Sequence, residues 1–205
     1  MSGIVGSKLN IRGSDRIAKL GTDGQVLTSA GAGLAANYED AAGGGKVQQV
    51  VQIYKTDVMT YTGGGTVSYS DITGMSVAIT PAKASSKLLV DLRVCIGAII
   101  EAGSIVQADI DGAGYADIGM PTSYSNRFPS WGGNASNESE SATWTRWQGG
   151  LFLWTPSYTL TDEITLKGMI SATNANAIAV NRSQSGTDVA TRVQACSSLT
   201  VWEIN

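Results

Sequence analysis

The chain has 205 residues, of which 42% are hydrophobic and only 15% charged, with 25 glycines, 4 prolines and a net charge of −3. The charged share lies well below the roughly 25% of ordinary globular domains, and without a clustered basic surface nothing draws the protein to nucleic acid. Histidine is absent altogether, which removes Ser-His-Asp and Cys-His catalysis, imidazole proton relays and most zinc sites.

The first forty residues repeat a short rhythm. Gly6-Ser7 opens KLNIR, Gly13-Ser14 opens DRIAKL, and Gly21-Thr22-Asp23-Gly24 opens QVLTS. Each run has the length and partial alternation of a strand bounded by glycine turns, yet each is too short to hold itself together in water. Such strands must borrow partners, either other copies, which suits an intertwined trimer, or a larger protein; a disordered arm is the alternative. The cations Lys8, Arg12, Arg16 and Lys19 face a single acid, Asp15. This reads as a solvated segment or as a docking surface, for which Lys8, Leu9, Ile11, Arg12, Arg16 and Ile17 are the candidate residues. Ala41-Ala42-Gly43-Gly44-Gly45 then reads as a hinge, because consecutive glycines have nothing to pack. The expected organisation is a segment 1–40, a linker 41–45 and a domain 46–205.

Beyond the linker the strand signals lengthen. VQQVVQIYKT (47–56) alternates, with Val47, Val51 or Val50, and Ile53 expected to face inward. TVSYSDI and MSVAITP follow as two strands, and KLLVDLRVCIGAII (87–100), rich in β-branched residues and without a helix cap, is expected at the centre of a sheet. Asp111-Gly112 predicts a hairpin turn between Ile105–Ile110 and Tyr115–Ile118. GGLFLWT, EITLKGMISA, AIAVNRS and VQACSSLTVWEIN complete nine or ten strands, which predicts an all-β, jelly-roll-like antiparallel β-sandwich. In the final run Leu199, Val201 and Ile204 are expected to pin the C-terminal strand. Cys95 and Cys196 both fall in strand-like runs and are expected as buried free thiols.

Chemistry-bearing patterns are sparse. Asp109 with Asp111, and Asp162 with Glu163, are the carboxylate pairs that a glycosidase would need, but they stand where turns are expected and Asp favours turns. Asp109-Ile110-Asp111-Gly112 lacks the third acid and terminal Glu of a calcium loop. No catalytic residue, metal or cofactor is expected, and three Asn-x-Ser tripeptides have no secretory signal to give them meaning. No stretch reaches the ~20 apolar residues of a membrane span, so membrane insertion is not expected and synthesis is assigned to the cytoplasm.

Residues 115–158 hold nine of the 14 aromatic residues. Tyr124, Phe128 and Trp131, together with Arg127, lie among Ser, Asn, Gly and Thr, as in adaptable binding surfaces. They are the candidate receptor-binding residues. Trp144, Trp147, Phe152 and Trp154 approach or enter a strand and are expected instead to anchor the loop or fill a subunit interface.

The run SKLNIRGSDRIAKLGTDGQVLTSAGAGLAANYEDAAGGG resembles a segment of tail-fibre-like virion proteins of tailed bacteriophages. DITGMSVAITPAKASSKLLVDLRV, QADIDGAGYADIG and SSLTVWEIN resemble the β-sandwich domain that such proteins carry. The resemblance implies a homotrimer, a place on the virion among other tail or capsid proteins, and binding to a host-surface glycan or protein in place of catalysis. Family members often begin with a domain that attaches to a baseplate or hub. Here the repeat block comes first, which leaves open a capsid decoration protein or head fibre as the alternative. A polysaccharide-degrading enzyme is the third reading.

Overall fold

The computed structural model describes residues 25–28, 37–40, 46–63, 68–98, 101–122, 127, 129–134, 144–172, 177–186, 190 and 192–205. Two units divide the chain, Met1–Lys46 and Val47–Asn205. The expected strands KLNIR and DRIAKL and the glycine hinge 41–45 lie outside the described residues.

In the first unit, β1 (Gln25–Thr28) pairs antiparallel with β2 (Asn37–Asp40), Gln25 opposite Asp40 and Thr28 opposite Asn37. QVLT was expected as a strand, whereas its partner NYED, polar at three of four positions, carried no strand signal. Val26 and Leu27 are 44% and 45% exposed. These two apolar side chains of the ribbon are therefore only partly covered, while Tyr38 is half-buried.

The second unit is a jelly-roll-like antiparallel β-sandwich. Its strands are β3 (Val47–Lys55), β4 (Met59–Thr62), β5 (Tyr69–Ile79), β6 (Lys87–Gly97), β7 (Ala102–Ile110), β8 (Ala116–Ile118), β9 (Gly132–Asn134), β10 (Arg146–Trp154), β11 (Ile164–Ala172), β12 (Ala177–Val180) and β13 (Ser197–Ile204). One six-stranded sheet runs β3-β13-β6-β12-β4, with β10 also paired to β6; a five-stranded sheet runs β5-β11-β7-β8, with β9 also paired to β7.

The expected central strand takes that place, since β6 pairs with β13, β10 and β12. Side chains alternate along a strand, so Leu88, Val90, Leu92, Val94 and Ile96 all point into the core, where they meet Ile164, Leu166 and Ile170 of β11 and Leu199 and Val201 of β13. The Asp-Gly hairpin forms as expected. Asp111 (φ 52°) and Gly112 (φ 75°) both occupy the left-handed region, Ala113 N donates to Ile110 O at 3.1 Å, and Gly114 N donates to the Asp109 carboxylate at 2.9 Å. These are the dihedral signs of a type I′ turn.

Three local expectations change. Val47 is exposed, because the β3–β13 register shifts between Glu203 and Ile204 and takes the first residues of β3 out of phase. TVSYSDI and MSVAITP form the single strand β5. It runs through Gly74 (φ 78°), and its pairing with β11 shifts between Lys167 and Met169, so Ile72 and Met75 both face the core. In β13, Leu199 and Val201 point inward as expected, but the next inward position is Glu203 and not Ile204.

Glu203 is fully buried. Its Oε1 accepts from Ala82 N (2.8 Å), Lys83 N (3.2 Å) and Ser86 Oγ (2.6 Å), and its Oε2 from Gln49 Nε2 (2.7 Å). Burial pushes the carboxyl pKa up, but the four donors outweigh it and hold the group below its ordinary value. The carboxylate thus ties β13 to β3 and to the turn before β6. A second buried polar knot holds the opposite end of β13. Lys55, 2% exposed, places Nζ 2.7 Å from Asp57 Oδ2 and 2.9 Å from Thr73 O. Asn181 (φ 66°) donates through Nδ2 to the carbonyls of Lys55 and Asp57 and accepts from Ser197 Oγ, which in turn accepts from Cys95 N.

Candidate binding groove

Of the sequence-predicted site residues, Arg127 and Trp131 are among the described residues. Lys8, Leu9, Ile11, Arg12, Arg16, Ile17, Tyr124 and Phe128 lie outside the described residues. Arg127 is exposed. Trp131 is half-buried and packs against the core, its Nε1 donating to Ile118 O at 2.7 Å and its ring meeting Phe152 edge-on with centroids 5.8 Å apart. Its indole thereby fastens the start of β9 to the sandwich beside β8.

The carboxylate pairs are built into turns. Asp109 caps Gly114, Asp111 donates its backbone N–H to Glu163 O, and Asp162 accepts from both the hydroxyl and the backbone N–H of Thr159. The hydrogen bonds from Thr159 hold Asp162 below its ordinary pKa. Among the described residues no group of three or more Cys, Asp or Glu is placed to hold a metal ion. Both cysteines are free; Cys95 is buried as expected, whereas Cys196, just before β13 begins, is exposed. Burial pushes the Cys95 thiol up, against a hydrogen bond with Thr145 that lowers it.

The aromatic residues expected as anchors divide by strand phase. Phe152 and Trp154 are half-buried, as expected, and Trp154 packs against the core. Trp147 is 61% exposed and Trp144, two residues before β10, is 58% exposed. Neither is anchored within its own chain, which leaves the other expectation, filling a subunit interface. Trp147 lies opposite Cys95, on the face of β6 turned away from Leu92 and Val94, and therefore projects from the outside of the sandwich.

That outer face carries a groove of about 440 Å³ lined by Asp91, Arg93, Trp147, Gly149, Gly150 and Leu151, with the backbone around Leu92 and Gln148 beneath. Gly149 makes the gap. It stands between Trp147 and Leu151 on the outward side of β10, opposite Arg93, and carries no side chain. The absence is compulsory. With φ 126°, an added Cβ would fall 1.8 Å from Leu92 O. A Cβ on Gly132 of β9 would in turn fall 2.6 Å from Gly149 N, so bare glycines let the two strands approach and close this side of the sandwich.

On the β6 wall, Arg93 Nε donates to Asp91 Oδ2 at 2.9 Å; the Arg93 side chain is 68% exposed and that of Asp91 only 14%. The ion pair orients both groups, and each keeps hydrogen-bonding capacity, a carboxylate having two acceptor oxygens and a guanidinium five N–H donors. The groove therefore offers an indole face at one end, an isobutyl group at the other, and a planar acceptor and donor between them. Next to it, Val50, Trp202, Leu89 and Leu153 stand opposite one another across β3, β13, β6 and β10 and form an apolar row on the same face. The residue types were visible in the sequence, but their assembly depends on register, and only an outward phase for Trp147 would have singled it out.

No family model and no curated protein matches the chain. Among solved structures it is similar to a chain in the structure of infectious bursal disease virus, Gt strain, at 10% identity and a TM-score of 0.37, covering 88% of this chain and 42% of that one. A chain of the Gx strain of the same virus aligns at 10% identity and a TM-score of 0.35, with the same coverages. The chain thus spans about two fifths of the length of those viral chains. A likeness so remote assigns neither activity nor partner.

Proposed function

We propose that the chain is a non-enzymatic structural protein of a tailed-bacteriophage particle, a short homotrimeric fibre. Its N-terminal unit joins the copies to one another and to another virion protein, and its sandwich is the head that meets the host surface. The observation that carries the reading is the partly exposed apolar surface of the β1–β2 ribbon. A two-stranded ribbon of this length is marginal alone, and neighbouring copies supply the missing core. The block phrases shared with tail-fibre-like proteins support the same assembly. The absence of histidine and the use of Asp109, Asp111 and Asp162 in turns support binding over catalysis.

A capsid decoration protein is the second reading. The row of Val50, Trp202, Leu89 and Leu153 favours it, because a flat apolar sheet face suits a shell.

Light scattering of the purified chain and electron microscopy of antibody-labelled particles test the proposal together. The expected results are three times the chain mass, reduced to the single-chain mass on deleting residues 1–40, and label at the tail. A monomeric full chain overturns the trimer, unlabelled particles overturn the virion role, and label over the capsid selects the second reading.

A further inference from the structure

The groove between β6 and β10 matches one class of ligand more closely than others. An exposed indole offers a flat, polarisable face with a negative quadrupole, which complements the axial C–H face of a pyranose ring. A carboxylate and a guanidinium held 2.9 Å apart present an acceptor and donors in fixed directions, which complements adjacent sugar hydroxyl groups. The gap at Gly149 lets a ring lie against the strands without meeting a side chain. From Trp147 to Leu151 the outward face spans four residues, on the order of 13 Å at about 3.3 Å per residue, enough for a short stretch of oligosaccharide. The groove is open along its length, as suits a polymer passing through better than a small molecule enclosed on all sides.

We infer that Trp147, Asp91, Arg93 and the bare backbone at Gly149 and Gly150 form a saccharide-binding site for a surface polysaccharide, with the indole stacking on a sugar ring and the Asp91–Arg93 pair hydrogen-bonding its hydroxyls. This deepens the reading of the sandwich as a host-contacting head and rests on it for biological meaning, although binding itself does not depend on where the protein sits on a particle.

The full-length chain is tested on an array of bacterial-surface oligosaccharides, and any hit is titrated by tryptophan fluorescence. The expected result is at least one bound saccharide. Trp147→Ala should weaken that binding about tenfold or more, as for an aromatic anchor, and Trp147→Phe should retain part of it. Arg93→Gln and Asp91→Asn should each weaken it, while Trp144→Ala, whose indole is exposed outside the groove lining, should leave it unchanged. Circular dichroism and melting temperature of the Trp147, Arg93 and Trp144 variants should match the parent, because these side chains are exposed. A chain that binds no array member overturns the inference, as does binding that survives Trp147→Ala or is lost equally with Trp144→Ala. Saccharide binding by a protein absent from particles would sink the fibre reading and leave the groove standing. A labelled tail with no saccharide binding would sink the groove alone.

Discussion

The two units treat their hydrophobic side chains in opposite ways. In the ribbon of β1 and β2, four paired residues per strand, Val26 and Leu27 stay nearly half exposed. In the sandwich, β6 and β11 press two inward faces together, and Leu88, Val90, Ile164, Leu166 and Ile170 lose all contact with solvent. Burial of a large aliphatic side chain contributes about 1.5–3 kcal/mol, so the sandwich holds its own driving force, which the described residues of the ribbon do not match. This contrast is the one on which the proposed assembly rests, with the first unit as the part that would lean on neighbouring copies.

The strongest way to break that contrast is to empty the core. Leu92→Ala truncates a buried side chain at the centre of β6 and should cost about 2–5 kcal/mol, read as a lower midpoint in denaturant for the sandwich signal. A loss under about 1 kcal/mol would mean that the core is looser than its burial indicates.

A smaller effect is expected at Glu203. Glu203→Gln replaces an acceptor oxygen with an NH₂ group and strands donors at Ala82, Lys83 or Gln49, a change worth about 1–3 kcal/mol at neutral pH. The same residue sets an acid dependence. Its folded pKa lies below its ordinary value of 4.5, so its contribution is fully present above that value and disappears as the pH falls through the lower, folded one. The parent should lose stability over that window and the variant should lose less; parallel acid curves would remove Glu203 from the account.

The smallest effect on the sandwich should come from the ribbon. Replacing Val26 and Leu27 together with Ser should shift the sandwich midpoint by no more than about 0.5 kcal/mol, while sedimentation shows loss of self-association. A large shift in the midpoint would show that the two units are not energetically separate.

Much of the sandwich was legible because its long strands write their burial into the sequence. KLLVDLRVCIG and EITLKGMISA are dominated by apolar and β-branched residues, and Asp111-Gly112 declares its turn by its need for positive φ. β4 and β9 were not legible, since MTYT and GGN have little pattern to detect; they are strands because neighbours offer them hydrogen bonds. Gly74 made β5 look like two strands, although a register shift carries the chain through it. Glu203 was hidden for a different reason. A charged residue in an alternating strand is ordinarily outward, and the donors that hold it inside come from the turn at residues 80–86 and from Gln49, all distant in sequence. The groove was the least legible feature. Trp147 and Leu151 come from one strand and Asp91 and Arg93 from another, and no spacing within the chain announces that they share a face.

The position of β13 has a consequence in time. It lies between β3 and β6, and the Gln49–Glu203 hydrogen bond joins residues 154 apart. Until residues 197–204 insert, β3 has no partner across from it, and the VQQVVQIYK segment remains an unpaired, β-prone edge. Closure over so long a loop is slow to form by chance. Refolding is therefore expected to be rate-limited by this insertion, and the partly folded chain is most vulnerable to aggregation while that slot stays empty.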